Sequence, residues 1–194
     1  MVAALVVVLV PIAIIAVPIL THDDRGLSGQ GAVADDWPLT VTATGDDGRT
    51  RTLTVSSEDG PVDTAALTVG QHLVVEGDGY DGSRGIYVAV CKIPDAASVK
   101  PGPCVGGVPE SDQQEIQEGA VQYAPSNWIN DDWAWKLFGA RSYDDVATGT
   151  FTAYLEVGDP GVCAATACGI FTRNDHTALG DRVQDLYLPV DFAG

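Results

Sequence analysis

The sequence predicts an all-β domain, a two-layer sandwich or barrel, placed behind an apolar N-terminal segment. Three observations carry this. From Leu39 onward, short β-branched runs alternate in hydrophobicity with period two. Gly- and Asp-rich turn signals separate those runs at short intervals, with little helical periodicity between them. The four cysteines, Cys91, Cys104, Cys163 and Cys168, are of even number and fall into two close pairs.

The elements follow in order. Residues 2–20 hold only Ala, Val, Leu, Ile and two prolines, Pro11 and Pro18. A bilayer-spanning helix needs about 20 such residues. A cleavable signal has a shorter apolar run and a basic start, and only Met1 precedes this one. The expectation is a transmembrane anchor over 1–21. A signal peptide is the rival, with Ala32-Val33-Ala34 as a distant cleavage-like site. Residues 22–37 are polar, acidic and glycine-containing, which reads as a linker. Residues 38–194 form the domain.

Strands are expected at 39–44, 50–56, 63–69, 72–77, 85–92, 149–157, 168–173 and 185–192. Turns fall at Gly45–Gly48, Asp59–Pro61, Asp78–Gly82 and Gly158–Gly161. Residues 109–148 break the rhythm and read as an insertion without strand signal. A weak capping pattern at Ser111–Gln114 allows a short helix over 112–118. Behind it lie Trp128, Trp133 and Trp135, three of the four tryptophans, with Phe138 and Tyr143. Aromatics of this kind dominate interface energetics. Two readings stand: a local mini-core folded over the sandwich, or a partner-binding surface.

Even cysteines behind a membrane or export signal read as disulfides in an oxidising compartment. Spacings C-x12-C and C-x4-C differ from zinc-ribbon and thioredoxin-like patterns. Local pairs are expected, although four cysteines allow three connectivities. A four-thiolate zinc site is the remaining alternative. The soluble part is thus expected on the extracytoplasmic side of the cell membrane.

The formal charge is −17. Nucleic-acid binders cluster Lys and Arg, so this balance argues against nucleic acid. Gly77-Asp78-Gly79-Tyr80-Asp81-Gly82 fits G-x-G-x-x-G but precedes a strand, and its aspartates repel phosphate. It reads as a turn. No segment has a full EF-hand pattern, although a weak surface calcium site at an Asp-rich turn remains an alternative. His22, His72 and His176 show no metal-ligand spacing, and Asn174-Asp175-His176 lacks a nucleophile elbow. No cofactor and no enzymatic activity are expected.

Residues 67–91 (LTVGQHLVVEGDGYDGSRGIYVAVC) form a strand, a Gly-rich turn and a strand ending in Cys91, followed by a loop closing at Cys104. Residues 162–175 (VCAATACGIFTRND) hold two cysteines four residues apart, then a strand and a polar turn, with LYLPVDF (186–192) behind. This order resembles the neocarzinostatin-type apoproteins of actinobacteria over about 62–108 and 149–192. The resemblance implies an immunoglobulin-like sandwich of seven strands with disulfides Cys91–Cys104 and Cys163–Cys168. It also implies a small apolar ligand, since known members hold an enediyne in a cleft. The anchor, the strands before residue 60 and the insertion depart from that pattern, and no ligand-contacting residue transfers. The expected function is therefore a membrane-anchored interaction protein, an accessory subunit of an actinobacterial membrane complex with an integral-membrane partner. A respiratory complex is one candidate host. A carrier of a small hydrophobic ligand is the alternative.

Overall fold

The computed structural model describes residues 16–17, 19–33, 37–107 and 121–193. Among the described residues, eight strands form two four-stranded antiparallel sheets. The first sheet contains β1 (Thr40–Thr44), β2 (Thr50–Ser56), β3 (His72–Asp78) and β6 (Phe151–Glu156), in the order β1-β2-β3-β6. The second contains β4 (Ile86–Lys92), β5 (Ser126–Ile129), β7 (Cys168–Asn174) and β8 (Tyr187–Val190), in the order β5-β4-β7-β8.

Period-two alternation places the core. Leu53 and Val55 of β2, Leu73 and Val75 of β3, and Phe151, Ala153 and Leu155 of β6 point inward. They join Ile86, Val88 and Val90 of β4, Ile170 of β7 and Leu188 of β8 in one buried cluster. The two sheets thus share a single core, as two half-wet antiparallel sheets must to bury their apolar faces. On the opposite face of β1 and β2, Thr40, Thr42 and Thr44 meet Thr54, Thr52 and Thr50 at 2.9–3.1 Å between hydroxyls. Such cross-strand threonine pairs suit a solvated sheet face.

Both disulfides are present: Cys91–Cys104 ties the end of β4 to its following loop, and Cys163–Cys168 ties a 3-10 turn to β7. Thiolate zinc ligation is thereby excluded for these four residues.

Two expected elements are corrected. Residues 63–69 are no strand. The Asp63 carboxylate accepts from the Ala65 N–H, and Thr68 accepts from the Gln71 N–H, so local turns capture the backbone. Only Leu67, fully buried, bridges to Phe192. The insertion at 109–148, in contrast, does contain a strand. β5 pairs with β4 from Ala89–Ser126 to Ile86–Ile129. All four residues of β5 are buried, so it shows no alternation. The insertion also supplies a one-turn helix, α1 (Trp133–Lys136). The expected helix at 112–118 lies outside the described residues.

Most of the expected membrane segment, 2–20, also lies outside them. Among the described residues, no helix is long and apolar enough to cross a membrane. Residues 22–30 lie against the domain. His22 meets Asp181 at 3.1 Å, and Arg25 pairs with Asp81. Leu27 and Asp46 exchange hydrogen bonds of 2.8 and 2.9 Å. The Gln30 side-chain amide donates to the Tyr187 carbonyl and accepts from its N–H, both at 2.7 Å. One side chain thus satisfies part of the free edge of β8, a usual way to blunt an exposed edge.

Candidate functional site

Strand pairing brings the start of β4 beside the ends of β5 and β7, since Ile86 opposes both Ile129 and Asn174. The loops at 79–85, 130–150 and 175–186 therefore converge at one end of the second sheet. α1 sits there. Asp132 caps it by accepting from the Ala134 N–H at 2.9 Å. Lys136 pairs with Asp131, and Gly139, at φ +94°, turns the chain back. The return is held by the Arg141 N–H on the Trp128 carbonyl and the Asn130 N–H on the Arg141 carbonyl, both 2.8 Å.

The inward side of α1 is a mini-core. Tyr87, Trp128, Trp135 and Ala140 form a buried cluster on the outer face of the second sheet. The His176 ring packs edge-on to Trp135 at 4.6 Å and to Trp128 at 5.3 Å. The Tyr87 hydroxyl and His176 Nδ1 are 2.9 Å apart. Beneath lies Asp175, fully buried. Its Oδ2 accepts from Trp128 Nε1 and Asn130 Nδ2, both at 2.9 Å, and its Oδ1 from the Thr177 N–H and hydroxyl. Four donors meet the need of a buried carboxylate. Burial, then the Asp175 charge, pushes the Tyr87 phenol up to about 12. Both oxygens of Asp175 are thus taken by Trp128, Asn130 and Thr177, and His176 Nδ1 faces the Tyr87 hydroxyl.

The outward side of α1 differs. Trp133 is 66% exposed, Leu137 74% and Phe138 55%. Trp133 and Leu137 are four residues apart and so share a helix face. Leu179, half exposed, follows His176 on the same end. Tyr143 goes elsewhere: its ring joins the main core and its hydroxyl donates to the Arg84 carbonyl at 2.9 Å. Of the five aromatics singled out in sequence, Trp128 and Trp135 line the mini-core, Tyr143 the sandwich core, and Trp133 and Phe138 the surface. Leu137 completes that surface. Its position four residues after Trp133 was readable once α1 was known, but so short a helix has no periodic signal.

A separate cleft of ≈ 400 Å³ lies beside the Cys163–Cys168 disulfide. Trp37, Tyr187, Pro189, Val190 and Phe192 give it apolar walls. Among the described residues no group of three or more His, Cys, Asp or Glu is arranged to hold a metal ion.

Comparison with known proteins returns no matching family model, no matching curated protein and no matching solved structure.

Proposed function

We propose that this chain is a membrane-anchored, extracytoplasmic, non-enzymatic interaction protein that docks an integral-membrane partner through Trp133, Leu137 and Phe138. The observation that carries the reading is the exposure of three large apolar side chains within six residues, Trp133 in α1 and Leu137 and Phe138 just past its end. Large apolar side chains exposed close together in the chain are a feature of interaction sites. The mini-core beneath holds α1 in place, so the anchors are presented at low entropic cost on binding. His22–Asp181 and Arg25–Asp81 hold the segment after residues 2–20 to the same end of the second sheet. That shared end favours a partner lying in the bilayer over a soluble one.

The immunoglobulin-like reading belongs to this proposal. It is supported by strand order: β2, β3 and β6 lie side by side, and β4 sits between β5 and β7 with β8 beyond. Successive strands also change sheets from β3 to β4, β5 to β6 and β6 to β7, as Greek-key sandwiches do. The neocarzinostatin-type relationship rests on the two local disulfides within that order.

Changing Trp133, Leu137 and Phe138 together to Ala tests the reading. Co-purification of the membrane partner should be lost while the thermal transition stays in place. Full retention of every partner by the folded variant would refute it. A second reading, a carrier of a small apolar ligand, is favoured by the ≈ 400 Å³ cleft at Trp37 and Phe192. An apolar dye displaced by ligand in that cleft, unaffected by the Ala changes on α1, would select it.

A further inference from the structure

The outer face of the second sheet carries another feature, remote from α1 in composition. The loop 100–107, which bears Cys104, forms a half-open cleft of ≈ 390 Å³ with β7, lined by Lys100, Pro101, Pro103, Cys104, Gly107 and Arg173. No carboxylate is among its described lining residues. The chain has 10 Lys and Arg against 27 Asp and Glu, so a lining with two cations is a departure from its own composition. Arg173 is buried to 9% exposure. Its guanidinium lies 5.3 Å from the centre of the Tyr87 ring, and its Nε has no hydrogen-bond partner among the described residues. Arg182, nearby in charge, is already engaged by Asp185 at 2.9 Å and by the Leu179 carbonyl at 2.6 Å. Burial and then the like charges of Arg173 and Arg182 hold the Lys100 amine below its usual range, against the opposing charge of Asp185. The Asp185 carboxylate, bonded to Arg182, also reaches Arg173 electrostatically, but it makes no hydrogen bond to Arg173 among the described residues, and withdrawing the Arg173 Nε from water without such a bond is unfavourable. A planar fork beside a point-charge amine is the arrangement that recognises a carboxylate or phosphate.

We propose that this cleft is an anion-binding site for a small molecule bearing a carboxylate or phosphate group. Arg173 supplies the fork and Lys100 the second charge, and Pro101 and Pro103 give an apolar wall for the rest of the ligand. The Tyr87 ring holds the guanidinium in plane by a cation–π contact. The site stands apart from the docking reading, since neither Lys100 nor Arg173 belongs to the exposed surface of α1.

The test titrates the full chain with inorganic phosphate and, separately, with succinate at constant ionic strength, following the Arg173 Nε–H signal by NMR. A saturable shift with one or both probes is expected, and the stronger probe tells phosphate from carboxylate. Lys100→Met, at an exposed position, should weaken binding at least tenfold without disturbing the fold. Arg173→Lys, which keeps the charge and loses the fork, should do the same. No saturable shift with either probe, or a shift untouched by both variants, would overturn the proposal. So would a shift that appears only after Glu110, Asp112, Glu115 and Glu118 are made neutral, because the chain's own acidic segment would then be the anion.

Discussion

Two carboxylates, half-buried Asp47 and buried Asp185, show how context sets the role of one residue type. Asp47 holds Arg51, whose side chain is fully buried, through Nη1–Oδ1 at 3.0 Å and Nη2–Oδ2 at 2.5 Å. Burial alone would push the Asp47 carboxyl up, but the hydrogen bonds and charges of Arg51 and Arg49 hold it below 3.8. Its contribution to stability is therefore present above about pH 4 and lost as the solution is acidified. Asp47→Ala leaves a buried guanidinium without its counter-charge and should cost about 3–5 kcal/mol, read by denaturant unfolding at pH 7. Asp185 behaves in the opposite way. Burial pushes it up to about 7 against the pull of Arg182 and Arg173. The folded state then holds the proton more tightly than the unfolded chain. This group favours the fold fully below pH 3.8 and ceases to do so as pH rises to about 7. Between pH 5 and 8, the wild-type stability should decline more steeply than that of Asp185→Asn. Parallel pH profiles of the two proteins would contradict the assignment.

At the scale of elements, α1 and β5 separate packing from presentation. Trp128→Ala or Trp135→Ala empties the mini-core and should cost about 3 kcal/mol or more. Trp133→Ala should stay within about 0.5 kcal/mol of wild type, as exposed changes do. Chemical denaturation of the three variants distinguishes them. The same elements mark where sequence reading stopped. β1 to β4 and β6 to β8 were legible, with shifts of a few residues at their ends, because alternation and turn residues act locally. The segment 63–69 alternates too, yet Asp63 and Gln71 bond to nearby backbone, and its contact with the chain after β8 is confined to Thr64 and Leu67 among the described residues, so local turns override its pattern. β5 was illegible for the converse reason. SNWI is buried on both faces and begins after Pro125, so neither period nor punctuation reveals it. The aromatics of the insertion were recognisable as a group, but which of them face inward depends on His176 and Asp175, some 40–50 residues away in sequence. The Lys100–Arg173 cleft left no linear motif at all.

For the whole molecule, two sheets over one core are joined by long connections, and the disulfides tie down two of the segments beside them. By chain-entropy reasoning, Cys91–Cys104, with sequence separation 13, contributes about 3 kcal/mol, and Cys163–Cys168, with separation 5, about 2 kcal/mol. Reduction should lower the melting temperature by about 10–20 °C in total, as followed by circular dichroism with and without reductant, and an unchanged transition would show that packing alone suffices. Against a formal net charge of −17, the exposed apolar side chains of Trp133, Leu137 and Phe138 are the more specific feature of the exterior. The most direct test of its role is site-specific photocross-linking in native membranes, with a benzophenone amino acid placed at Phe138 and, as control, at Thr42 on the opposite sheet. The account predicts one discrete adduct with an integral-membrane protein from position 138 and none from position 42. Equal labelling from both positions, or no adduct from 138, would contradict it.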